Sequence, residues 1–111
     1  MKNKYYGNIP NSTIDVAVGS IKKGEVIRIY LLIENNIISN IKYEYYGCGV
    51  SINILESICD YLYLKNLNIL RKLIEENIID EFMNDIHVSK CANLVKFAFI
   101  QLLNKMDKEA K

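Results

Sequence analysis

Apolar residues in this chain recur at every second position up to about residue 45 and at roughly every fourth position from residue 50 onward. The first pattern is that of strands with one buried face, the second that of amphipathic helices. Ile14 to Val18 alternates weakly and ends at Gly19, whereas Ile27, Ile29, Leu31 and Ile33 form a strong strand face beginning after Gly24. Ile37, Ile41, Tyr43 and Tyr45 continue it beyond a Glu34-Asn35-Asn36 turn. The pattern discriminates between turn lengths. A two-residue loop sets Ile29 opposite Lys42 and Leu31 opposite Asn40, which mixes the faces. A three-residue loop sets Ile33 opposite Ile37, Ile29 opposite Ile41 and Ile27 opposite Tyr43, with Asn36 in the left-handed conformation. The three-residue loop is therefore expected, and its register places Lys23 opposite Gly47.

After Gly49, Val50, Ile54, Ile58 and Leu62 share a helix face with Leu55 and Cys59. Asn66 to Glu75 predicts a second, shorter helix and Ile78 to Met83 a further turn. Ser89 is an N-cap for a last helix running to about Met106, with Leu94, Val95, Ala98, Leu102 and Leu103 buried. That helix is apolar nearly all round, so it should be central or covered by a partner. Residues 1–12 are polar, hold the only proline, Pro10, and read as an arm or short helix before the core; 107–111 read as a solvated tail. Strands followed by helices predict an α+β fold, with helices on one face of a small antiparallel sheet.

The 111 residues suit one domain. A net charge of +1 gives no electrostatic case for nucleic acid or an anionic membrane. No apolar run approaches the roughly 20 residues that span a bilayer. The basic residues near Met1 have no apolar stretch behind them, so no secretory leader is expected. Three cysteines, an odd number, speak against a secreted disulfide framework and for a reducing, cytoplasmic setting. Eight tyrosines without a basic stripe suit sheet and interface positions better than base stacking. No nucleophile triad, phosphate loop or paired CxxC can be assembled, so an enzyme active site is not expected.

The candidate chemistry lies where the two periodicities meet. Gly47-Cys48-Gly49 joins a strand to a helix, and a thiol at a helix start is drawn toward thiolate by unpaired N–H groups. Cys91, two residues after Ser89, holds the same position in the last helix. Cys59 falls on an apolar stripe and reads as a small buried hydrophobe. His87, the sole histidine, precedes Cys91 by one helical turn's worth of residues and is a weaker metal-ligand candidate. Lys23 and Lys90 are ordinarily solvated charges; beside the cysteines they favour thiolate. Glu25 lies at the same hairpin end as Lys23.

Tyr46-Gly47-Cys48-Gly49, after a hairpin and before a helix, resembles the central motif of the U-type iron–sulfur cluster assembly scaffolds, the family of IscU, SufU and the NifU N-terminal domain. Tyr6-Gly7-Asn8-Ile9-Pro10-Asn11 is similar to the family's arm. Val18 to Val26 resembles its valine-glycine-alanine-proline-alanine-cysteine-glycine-aspartate-valine segment, and Lys90-Cys91 its histidine-cysteine pair. The resemblance implies a three-stranded sheet packed against helices and a [2Fe–2S] cluster assembled in transit on three cysteines plus a histidine or aspartate. It also implies a cysteine desulfurase as sulfur donor and recipient or carrier proteins as acceptors. Carried over, Cys48 and Cys91 remain as cluster ligands, while Lys23 replaces the third cysteine, Glu25 the aspartate and Lys90 the histidine. Asn84-Asp85-Ile86-His87-Val88 replaces the family's leucine-proline-proline-valine-lysine element. A protonated lysine does not coordinate iron. Three outcomes stay open: Glu25 and His87 complete the site, two protomers share it as a homodimer, or cluster binding is lost. Bare iron or zinc are alternative occupants. A degenerate module that docks a desulfurase or sibling scaffold without a cluster is the second reading, and a Cys48–Cys91 disulfide redox protein the third.

Overall fold

The computed structural model describes residues 3–47, 50–83 and 90–109, leaving aside the side chains of Val50, Ser51, Met83, Lys90, Cys91, Ala92 and Glu109. Strands β1 (Ile14–Ser20), β2 (Glu25–Glu34) and β3 (Ile37–Tyr46) form an antiparallel sheet in the order β1-β2-β3. Helices α1 (Val50–Leu62), α2 (Leu67–Glu75) and α3 (Lys90–Glu109) follow, with a short 3₁₀ helix over Ile78–Met83 before α3. The architecture is α+β, as the change of period predicts.

One sheet face is the core. Ile14, Val16 and Val18 of β1, Ile27, Ile29 and Leu31 of β2, and Ile38, Ile41 and Tyr43 of β3 are buried on it. Ile54, Leu55, Ile58, Cys59 and Leu62 of α1 and Val95, Ala98, Phe99 and Leu102 of α3 close over that face. Asn66 starts α2 by accepting the Asn68 N–H at 2.8 Å, and Leu70 and Leu73 are buried. α3 continues past Met106 to Glu109, because Asp107 is fixed to Arg71 of α2 through two hydrogen bonds.

The hairpin corrects the expected turn. Asn35 and Asn36 both have positive φ, 55° and 64°, and Glu34 pairs with Ile37 across a two-residue loop. This is the geometry of a type I′ turn, whose twist matches that of the strands. The register then shifts between Leu32 and Ile33, leaving Ser39 as an extra residue, so that Leu32 meets Asn40 and Ile29 meets Tyr43. The bulge turns the faces back into phase. Ile38 and Ile41, three residues apart, are therefore both buried. Ile33 meets β3 one position further along than the expected register had it, and the residues of β2 before the bulge, Val26 to Leu32, two positions further. Val26 pairs with Tyr46, and Glu25, not Lys23, comes to Gly47.

The arm belongs to the core. Tyr5 and Ile9 are buried, and the arm runs parallel to the outer edge of β3: Tyr43 N–H donates to Tyr5 C=O at 2.9 Å, and Gly7 N–H donates to Tyr43 C=O at 2.8 Å. Two helix carboxylates pin it. Glu56 accepts the Tyr5 N–H at 3.0 Å and the Tyr43 hydroxyl at 2.8 Å, and Asp60 accepts the Tyr5 hydroxyl at 2.8 Å. Burial, then the hydrogen bonds to these carboxylates, push both tyrosine pKa values well above 10.0.

Candidate functional site

Glu25 is the centre of the described part of the site. It continues the Ile27-Ile29-Leu31 row toward the end of the sheet, so its half-buried side chain lies on the helix-covered face. Its carboxylate accepts the Tyr45 hydroxyl at 3.0 Å. Two glycines let neighbouring backbone close around it. At Gly47, φ is +132°, and an added Cβ would stand 2.7 Å from the Gly24 carbonyl oxygen and 3.0 Å from the Glu25 Cγ. At Gly19, φ is +86°, and a Cβ would lie 2.2 Å from the Glu25 carbonyl oxygen. Neither position has room for a side chain.

The same glycine fixes the last helix. Leu94 approaches within 3.2 Å of where a Gly19 Cβ would be, so the first turns of α3 come to this end of the sheet. Helix α1 begins three residues after Gly47. The N-termini of α1 and α3, the end of β1 and the β2–β3 pair thus meet around Glu25. Helix N-termini carry partial positive charge, which favours anionic ligands and thiolates.

The structure brings Glu25 to Gly47, the chain neighbour of Cys48, and puts Cys91 in the first turn of α3. Cys48, His87 and Ser89 lie outside the described residues, as do the side chains of Cys91 and Lys90. Lys23 is exposed in the β1–β2 loop, where its N–H donates to the Ser20 carbonyl and hydroxyl, each at 3.1 Å. Cys59 is fully buried, and burial first, then the Glu56 charge, raises its pKa well above 9.0. It remains a thiol and serves the core, as its periodicity predicts. Among the described residues no three His, Cys, Asp or Glu side chains form a metal-binding group, and no helix is long and apolar enough to cross a membrane. Sequence reasoning took Tyr45 as sheet filler and missed its hold on Glu25. The signal was its place in the Ile41-Tyr43-Tyr45 row, on the same face as the carboxylate.

The profile of the NifU-like N-terminal domain matches residues 2–108. The chain belongs to that family. NifU-like N-terminal domains therefore form the frame for its residues. Its fold is shared with a protein assigned as an iron–sulfur cluster assembly scaffold of the SUF system in Fervidobacterium islandicum AW-1. The TM-score is 0.67 at 19% identity, over 92% of this chain and 88% of that one. It is also shared with the N-terminal part of a nitrogen-fixing NifU-like protein from Brucella abortus, with a TM-score of 0.67 at 14% identity, over 96% and 87% of the two chains. No curated protein matches the chain in sequence. In this NifU-like domain, Glu25 stands where the resemblance places the family's aspartate and Lys23 where it places a cysteine.

Proposed function

We propose that this NifU-like domain is a scaffold on which iron and sulfide are assembled and held in transit as a [2Fe–2S] cluster, in the cytoplasm. Cys48 and Cys91 supply the two thiolates, and Glu25 supplies an oxygen ligand. His87 is the remaining ligand candidate, and Lys90, the chain neighbour of Cys91, favours its thiolate form. A cysteine desulfurase supplies sulfur, and recipient or carrier proteins take the cluster. The observation that carries the reading is family membership over nearly the whole chain, joined to a carboxylate held against the residue that precedes Cys48.

Anaerobic incubation with ferric iron and sulfide tests it, read by visible absorption and bound iron. The expected result is sulfur-to-iron charge-transfer bands in the parent chain, lost in Cys48→Ser and Cys91→Ser and weakened in Glu25→Gln. About two irons per chain indicate a cluster per chain, and about one indicates a cluster shared by two chains. Zinc that binds in place of iron, with no bands, assigns the thiolates to a structural metal instead. One observation favours a second reading, a docking module without a cluster: exposed Lys23 presents an ammonium group where a thiolate ligand is expected. Desulfurase binding without charge-transfer bands decides for that reading.

A further inference from the structure

The two outer edges of the sheet are closed to different extents. The β3 edge carries the arm at Tyr43, and at Ile38 it bonds the α1–α2 connection through Lys65 C=O at 2.9 Å and Leu64 N–H at 2.8 Å. On β1, Lys105 Nζ donates to the Asp15 carbonyl at 2.7 Å. Two observations fix which β1 groups face outward. Leu31 C=O accepts the Thr13 N–H, so the Leu31, Ile29 and Ile27 backbone groups point at β1 and pair with Ile14, Val16 and Val18. Asp15 C=O is reached from outside by Lys105. By alternation, the N–H and C=O groups of Ala17 and the N–H of Gly19 lie on the outer edge.

That edge forms one wall of a groove of about 630 Å³, lined by Val16 to Gly19 and by one stripe of α3. Leu94 at Gly19 and Lys105 at Asp15 show that α3 runs antiparallel to β1. The helix stripe between those contacts is about 16 Å long and the strand about 13 Å, so the groove fits roughly four extended residues. Phe97, 47% exposed, gives it an apolar wall near the Gly19 end. Lys105 and Lys108 line the far end, and no carboxylate is among the described lining residues. Exposed Lys22 and Lys23 lie in the loop after β1, beyond Ile21. Its charge is therefore positive, and its backbone is set to pair.

We propose that the β1 edge accepts an extended acidic segment of a partner protein as a fourth strand, paired to Ala17 and Gly19. The segment's carboxylates meet Lys105 and Lys108, and one apolar side chain rests on Phe97. The Gly19 end of the groove abuts Glu25, so a partner seated there lies beside the candidate site. Binding needs neither the thiols nor metal.

The test uses a fluorescein-labelled octapeptide of alternating Glu and Val, its Lys-Val counterpart, and a Glu-Val peptide N-methylated at every second residue. Binding is followed by anisotropy and by the amide resonances of the full chain. The acidic peptide should shift the Ala17 and Gly19 amides, weaken at least fivefold between low and physiological salt, and bind at least fivefold less well to Lys108→Glu. Ala17→Pro, checked by circular dichroism, should lose at least tenfold; if it misfolds, the N-methylated peptide should show the same loss on the parent chain. Cys48→Ser should bind the peptide as the parent does, which separates this proposal from the cluster reading. Equal binding of the Lys-Val peptide overturns it, as do unmoved Ala17 and Gly19 amides. A concentration-dependent dimer abolished by Ala17→Pro also overturns it, assigning the edge to a second copy of this chain.

Discussion

The middle of the sheet and its glycine-lined end are built on opposite terms. In the middle, Ile27, Ile29, Leu31, Ile41 and Tyr43 are fully buried, and the polar atoms of Tyr5 and Tyr43 meet Glu56 and Asp60. At the end, a half-buried Glu25 sits between backbone turns that only glycine can make at Gly19 and Gly47. The middle buries apolar surface, which stabilises the fold broadly. The end gives up conformational freedom to hold a carboxylate against Gly47 beside the starts of two helices. The comparison suggests a division of labour: damage to the middle should unfold the chain, whereas damage to the end should leave a folded chain with altered chemistry.

The largest expected effect tests the middle. Phe99→Ala removes a fully buried ring of α3 and should cost about 3–5 kcal/mol in urea unfolding. Gly47→Ala tests the end. Its methyl meets the Gly24 carbonyl at positive φ, so it should cost about 1–3 kcal/mol. Iron retention in the reconstitution assay should fall further than that loss of stability accounts for. An equal fall in both variants would erase the distinction between the regions.

Tyr43→Phe sharpens it. At neutral pH the loss of the hydroxyl bond to Glu56 should cost about 1–2 kcal/mol. The tyrosine pKa values are raised in the folded state, so their contribution is complete below pH 10.0 and is lost as pH rises above it. Parent stability should therefore decline above pH 10, and Tyr43→Phe should decline less steeply, by about 1.4 kcal/mol per pH unit. Urea midpoints at pH 8, 10 and 11 decide this. The smallest effect is expected at Asp107. Its hydrogen bond to Arg71 lowers its pKa below 3.8, so the exposed pair's contribution is present above that value and fades as pH falls below it. Asp107→Asn should flatten the acid limb of a thermal melt and leave its neutral midpoint nearly unmoved.

The Ile27-Ile29-Leu31 row and the α1 stripe were legible because burial imposes a clean period on each. The hairpin register was not. A bulge adds one residue to one strand, and period counting across it fails by construction. The trace it leaves is the Ile37-Ile38 doublet followed by polar Ser39-Asn40, with Asn35 and Asn36 both suited to positive φ. That slip led to Lys23 rather than Glu25 being set beside Gly47. The carboxylate itself was singled out from the family resemblance, while its partner Tyr45 was not, because a cross-strand hydroxyl contact has no sequence period. Cys59 was legible as a core thiol because a single apolar face decides its surroundings.

Glu56 binds the amide of Tyr5 from 51 residues further along the chain. During synthesis the arm leaves the ribosome before α1, so it has no carboxylate to hold it until α1 has followed. The sheet face is likewise only partly covered until α3 emerges. A nascent chain of this protein therefore exposes its isoleucine-rich strands until the helices that cover them have been made, and Tyr5 finds its place only after a helix that follows it.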